Sequence, residues 1–114
     1  MSSARRSVRK RAGESILVTD AMTGKTIGRI GNLSVDGMML ICPRPVAEGS
    51  LYQVQFLLTD GERQRRRVEV GIQCLWCEAA RTENTHWAGC RIIDIAAAEQ
   101  HILDGWVGRA AEVV

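Results

Sequence analysis

Aromatic residues are scarce. Three Trp, one Tyr and one Phe make up 4% of the 114 residues. A groove for single-stranded nucleic acid works through a row of stacking rings, so this poverty counts against that class of binder. Histidine is limited to His86 and His101, and neither has a partner at catalytic or metal-ligand spacing. No P-loop, nucleophile elbow or paired-carboxylate motif occurs. The expectation is therefore no enzyme, no metal and no cofactor. No apolar run approaches the ~18–20 residues of a membrane span. No apolar h-region follows the basic N-terminus, which argues against a secretory signal. A cytoplasmic protein is expected, with Cys42, Cys74, Cys77 and Cys90 as reduced thiols that behave as small hydrophobes.

What is present fits one soluble domain: 46% hydrophobic and 25% charged residues. The formal charge of +2 conceals an asymmetry. The first eleven residues, MSSARRSVRKR, carry Arg5, Arg6, Arg9, Lys10 and Arg11 before the first acid, Glu14. Removing those five of the 15 bases leaves 10 against 13 acids, or −3. Positive potential thus belongs to a flexible basic arm over residues 1–13, not to the whole surface.

From Glu14 the pattern predicts strands. Ser15–Asp20 is a short apolar run closed by a turn at Thr23-Gly24. Thr26–Asn32, with three glycines nearby, suits a bent or bulged strand. Gly37–Cys42 is wholly apolar and ends before Pro43 and Pro45. Leu51–Thr59 alternates, with Tyr52, Val54, Phe56 and Leu58 on one face. Asp60-Gly61 signals a hairpin. Arg66–Trp76 alternates again, with Val68, Val70, Ile72 and Cys74 inward and Trp76 in phase with them, which predicts core packing for that indole. Trp87–Ile95 is a last strand.

After Ala96 the period changes. Ile102, Leu103, Trp106, Val107 and Ala110 share one helical face, and Asp94 is placed to cap the helix. Gly105 and Gly108 each weaken it by about 1 kcal/mol relative to Ala, so docking has to hold it. The prediction is a mainly β fold: a small six-stranded antiparallel barrel over 14–95 with a C-terminal α-helix over 96–110. Cys74-Leu-Trp-Cys77 forms C-x-x-C. On an unbroken strand residues three apart face opposite sides about 10 Å apart, beyond disulfide reach, which excludes a redox pair.

Two strings remain. Arg5 and Arg9 are spaced R-x-x-x-R, and Asn32-Leu33-Ser34-Val35-Asp36-Gly37 reads N-x-S-x-x-G. In this order, with Thr23-Gly24 before the second strand, an apolar strand ending at Pro43 and Trp76 closing the fifth strand, the chain resembles the PilZ domain family over nearly its whole length. That resemblance implies a barrel that binds the bacterial second messenger cyclic di-GMP, in signalling that governs motility or biofilm formation. The site residues it implies are Arg5, Arg6, Arg9, Asn32, Ser34, Gly37 and Trp76. Many members carry a double Arg whose second member opens R-x-x-x-R. Here counting from Arg6 lands on Lys10, so two registers stand: Arg5 with Arg9, or Arg6 with Lys10.

The chemistry suits the ligand that the resemblance implies. A guanidinium fork matches the O6 and N7 acceptors of guanine, pairs with phosphate and stacks on a base. Lys offers only a point charge. Asn32 would accept from a guanine N–H, where an Asp would add charge assistance. Ser34 would serve the ligand or hold its turn, and Trp76 would flank a guanine. Gly37 is expected at a positive φ or at a close approach of backbone to ligand. The arm would order on binding and present a new surface to a protein partner. A monomer that binds no nucleic acid is expected. The rival readings are a nucleic-acid-binding barrel with a basic arm and a PilZ adaptor that binds no nucleotide.

Overall fold

The computed structural model describes residues 10–113, with side chains described through Arg109. The arginines at 5, 6 and 9 lie outside the described residues. The elements are β1 (Lys10–Arg11), β2 (Leu17–Asp20), β3 (Thr26–Leu33), β4 (Gly37–Cys42), β5 (Leu51–Thr59), β6 (Arg65–Ala79), β7 (His86–Ile95) and α1 (Ala97–Val113).

All ladders are antiparallel, and the ring runs β3-β2-β5-β6-β7-β4 before β4 returns to β3. Six strands therefore close a barrel. The short β1 is a seventh strand laid on the outside of that closure. It pairs Lys10 with Leu33 and Arg11 with Asn32.

Local chemistry sets the connections. Gly24 takes φ +78°, a left-handed conformation that suits glycine, and its N–H donates to Asp20 O at 2.8 Å. At the β5–β6 hairpin the left-handed residue is Arg63 (φ 64°) rather than Gly61. Asp60 holds that turn: Oδ1 accepts the N–H groups of Glu62 and Gln64, and Oδ2 accepts Arg66 Nε at 2.9 Å. These bonds and the Arg66 charge keep the Asp60 carboxyl below its ordinary pKa.

The barrel interior is filled by the alternating rows of its strands, among them Val18, Ile30, Leu33, Leu40, Val54, Leu58, Val68 and Val70. Leu103, Trp106 and Val107 of α1 are buried in the same core, so the helix is held by docking despite its glycines. Asp94 does not cap it. That residue lies in β7 opposite Gly71, and the first turn begins where Gln100 N–H donates to Ala96 O at 2.8 Å. Glu99 ties the helix to β6 by accepting the Glu69 N–H at 3.0 Å.

Two bulges reverse the alternation where it matters. In β3 the register shifts between Ile30 and Asn32, so Ile30 and Leu33 are both buried although three positions apart. In β6 it shifts between Cys74 and Trp76, with Leu75 as the extra residue. Trp76, expected in the core, is consequently turned outward and is 39% exposed. The same shift brings Cys77 back toward the core, where its Sγ accepts the Val46 N–H at 3.4 Å. Cys74 and Cys77 therefore do not face opposite sides as strict alternation demands. All four cysteines are free thiols, close enough to influence one another's ionisation.

Candidate functional site

Ser34–Gly37 is the tight connection between β3 and β4. Ser34 is fully buried at 0% exposure. Its N–H donates to Gly37 O at 2.9 Å, and its Oγ accepts the Gly37 N–H at 3.1 Å and donates to Asp36 Oδ1 at 2.8 Å. The hydroxyl thus closes the turn on itself, a short polar side chain standing in for backbone partners. Asp36 O in turn accepts the Ile92 N–H at 2.8 Å, which pins the turn to β7. Gly37 opens β4 opposite Arg91 and is buried. Among the described residues the glycines with positive φ are Gly24 and Gly49, so of the two expectations for Gly37, a positive φ or a close approach of backbone to ligand, the first is not met.

Asn32 precedes that turn. Without the bulge it would share the inward phase of Ile30. With it, Asn32 lines a cleft of about 270 Å³ together with Met38, Met39, Leu75, Trp76, Gly89 and Cys90. Its Nδ2 lies 4.0 Å from Met39 Sδ. Trp76 stands on Gly89: a Cβ built there would fall within the indole, 2.7 Å from Cζ2. The cleft therefore combines an amide, an indole edge and two thioethers in a volume that suits one planar base. Polarizable sulfur and an amphipathic ring make good contacts with such a ligand.

The structure brings Asn32 and Trp76 together and gives Ser34 and Gly37 the work of shaping the turn beside them. Arg5, Arg6 and Arg9 fall outside the described residues, but their point of attachment does not. Arg11 is the ladder partner of Asn32, so the arm joins the barrel at the rim of the cleft. Lys10 points elsewhere. Its Nζ lies 4.1 Å from the ring centroid of Trp106 and donates to Trp106 O at 3.4 Å. Desolvation first, then the Arg109 charge, lowers the Lys10 pKa.

Gly89, Leu75 and Met39 belong to the cleft and were not singled out from sequence. Gly89 had a signal: a glycine inside a strand marks a close approach by another group. Leu75 had one too, as an exposed apolar residue that interrupts the β6 alternation. A second cleft, of about 470 Å³, lies along the far side of Trp76 beside Trp87 and Arg81. Among the described residues no cluster of three or more His, Cys, Asp or Glu could hold a metal ion. No helix among them is long and apolar enough to cross a membrane.

These features define a small closed six-stranded β-barrel domain with a cleft on its wall and a helix docked on its side. The PilZ domain model matches residues 3–109, and the chain belongs to that family. A comparison with curated proteins gives no match. Among solved structures, the Bacillus subtilis inhibitor of motility MotI/DgrA is similar with a TM-score of 0.77 and 17% identity, covering 96% of this chain and 52% of that one. The PilZ domain of Escherichia coli YcgR, determined with c-di-GMP, gives a TM-score of 0.69 and 16% identity, covering 96% of this chain and 92% of that one. MrkH, described as a c-di-GMP-dependent transcription regulatory factor, gives 0.72 and 12%, covering 96% and 52%. The chain thus spans about half the length of MotI/DgrA and MrkH. At these identities the likeness is one of fold.

Proposed function

We propose that this chain is a cyclic di-GMP receptor with no catalytic activity of its own, which couples second-messenger level to a protein partner through its arm. Membership of the PilZ family and the c-di-GMP named for the YcgR domain supply the ligand class. The single observation that carries the assignment to these residues is the ladder pair Arg11–Asn32 beside the Asn32–Trp76 cleft. A chain spans at most about 3.3–3.6 Å per residue, so Arg9 starts within about 7 Å of Arg11, and Arg5 within about 20 Å. A ligand seated at Asn32 is thus within chain length of both.

In this reading one guanine enters the cleft against Trp76, and Asn32 accepts from its N1–H or N2–H. Arg9 and Arg5 close over the phosphates and the guanine O6/N7 edge, where bidentate pairing fits the guanidinium. Lys10 is engaged with Trp106, on the helix side of β1, which favours the register of Arg5 with Arg9 over that of Arg6 with Lys10. Arm closure then pulls on Lys10 and so on α1, which gives the signal a route from ligand to surface. A partner that reads this surface in the control of motility is consistent with the MotI/DgrA likeness.

Calorimetric titration with cyclic di-GMP tests the proposal. Wild type binds, Arg5→Ala and Arg9→Ala each weaken binding by about ten-fold or more, as loss of a charge-assisted pair of roughly 1.5–3 kcal/mol requires, and Arg6→Ala changes it little. The proposal fails if wild type does not bind or if all three variants match it.

A further inference from the structure

The barrel has a second feature that ligand binding does not use. β2 and β5 are joined by two ladder pairs, Thr19–Gln55 and Asp20–Val54, and there the ladder stops. β5 continues for four more residues to Thr59. β2 meanwhile stays with β3, where Leu17 pairs with Arg29 and Ile30 N–H donates to Ile16 O at 2.9 Å. The two strands part, and a cleft of about 390 Å³ opens between them over Ser15–Leu17, Phe56 and Leu57.

Antiparallel parity says what faces this seam. Gln53 O accepts the Ala21 N–H, so Gln53, Gln55 and Leu57 turn their backbone groups toward β2. Ile16 serves β3, so Leu17 and Thr19 turn theirs toward β5. Leu17 and Leu57 thus confront each other outside any β2–β5 pair, and their side chains are 56% and 43% exposed. Arg67 sits directly across from Leu57 on β6, and Arg65 across from Thr59. Both arginines line the cleft. Among the described residues the one ion pair is Arg66–Asp60, so neither Arg65 nor Arg67 is neutralised by a carboxylate within 4.0 Å. The nearest acid along the strand, Glu69, feels the Arg67 charge but forms no ion pair with it, and its carboxylate is held by Gln53 Nε2 at 2.9 Å and Gln55 Nε2 at 2.7 Å.

We propose that the β2–β5 seam is a docking groove for an extended acidic segment of a partner protein. An apolar side chain of that segment seats between Leu17 and Leu57, and its carboxylates pair with Arg65 and Arg67. The occupant is acidic because the charged side chains lining the groove are the two guanidinium groups, neither of which makes an ion pair among the described residues. It is extended because the open backbone of Leu57 offers strand-type hydrogen bonds. A basic segment would meet Arg65 and Arg67 unfavourably, and an aliphatic one would leave them unmatched. The ring order places the seam opposite the β4–β7 wall, away from the Asn32–Trp76 cleft. The groove therefore does not depend on the ligand reading.

The test uses the full chain and a blocked peptide of alternating Glu and Val, with a Lys–Val peptide and oligothymidylate as comparators. Backbone amide NMR shifts are followed at low and moderate salt. The expected result is weak, saturable binding of the Glu–Val peptide alone, with shifts centred on Leu17, Leu57, Arg65 and Arg67. Affinity should drop at least about five-fold in the double variant R65E/R67E and in L57S, and should decline with salt. Cyclic di-GMP binding by those variants should equal that of wild type, which separates failure here from failure of the ligand reading. The groove is refuted if the Lys–Val peptide or oligothymidylate binds these residues as well as the Glu–Val peptide does. It is refuted equally by shifts that map to another face, by indifference to both variants, or by no binding at millimolar peptide.

Discussion

Trp76 occupies the space that a side chain at position 89 would need. A Cβ on Gly89 would stand 2.7 Å from Trp76 Cζ2, inside van der Waals contact. Gly89 is thus the floor on which the indole rests, and the two residues are ladder partners on β6 and β7. Gly89→Ala is expected to push the indole off its seat without touching the arm. If a guanine stacks there, the loss is that of one base–aromatic stack, roughly 1–3 kcal/mol, or at least about five-fold in Kd. Trp76→Ala should do the same. Parallel calorimetric titrations with cyclic di-GMP decide the matter: full affinity in both variants removes Trp76 from the site.

Ser34 is expected to act on stability before it acts on binding. Its hydroxyl is buried and closes the turn through Gly37 and Asp36. Ser34→Ala removes the acceptor of the buried Gly37 N–H, which costs about 1–3 kcal/mol. Urea denaturation should show a lower midpoint with an unchanged slope. Cyclic di-GMP affinity should fall less for S34A than for Arg9→Ala, since only the turn beside Asn32 is loosened. A variant as stable as wild type that nevertheless loses the ligand would instead make Ser34 a direct contact.

Much of this was legible in the sequence because alternation is local. β4 and β5 have the ends that their apolar patterns predict, Gly37–Cys42 and Leu51–Thr59. The barrel and the docked helix follow from the same reading. What periodicity could not convey is a change of phase. A bulge adds one residue and inverts every side chain beyond it. Hence Trp76 was assigned to the core and Cys77 to the face opposite Cys74, whereas the extra residue Leu75 exchanges both assignments. Pairing partners across strands decide where such an insertion is accommodated, and those partners are distant in sequence. β1 was hidden for a different reason. Two charged residues carry no strand pattern, and only the open edge beside Asn32 gives Lys10 and Arg11 their place.

Acid should weaken the β5–β6 hairpin in a way that traces to Asp60. Its carboxyl is held below the ordinary value by the Gln64 N–H above all, then by Arg66 and Glu62. A carboxyl whose native pKa is depressed binds fewer protons folded than unfolded. Its contribution is therefore complete above the unfolded value near about 4 and is lost as pH falls toward the native one. Glu69 acts in the same direction through Gln55 and Gln53. Comparing urea midpoints near neutral pH and near about pH 3, the gap between wild type and Asp60→Asn should narrow in acid. A constant gap would mean that the Asp60 charge contributes nothing beyond its role as an acceptor.

The buried thiols of Cys42, Cys74 and Cys90 should be inert in the native state. Burial is the largest cause in raising Cys42 to about 11 and Cys90 to about 12, with the neighbouring cysteines adding to it. Cys74 is raised for the same first reason. The thiolate is the nucleophile, and near about pH 8 a thiol of pKa 11 is ionised about a hundred-fold less than one of 9.0, the value for an unperturbed cysteine. For Cys90 the deficit is about a thousand-fold on the same arithmetic, before any steric shielding. Iodoacetamide labelling read by mass spectrometry should thus modify Cys42 and Cys90 only as fast as the barrel opens, and rapidly once guanidinium unfolds it. Cys90 borders the Trp76 cleft while its strand partner is Cys74. Labelling at Cys90 in Gly89→Ala therefore also reports whether displacing the indole exposes the core. Fast native labelling of Cys42, which lies on β4 and outside that cleft, would contradict the packing of the thiols inside the barrel.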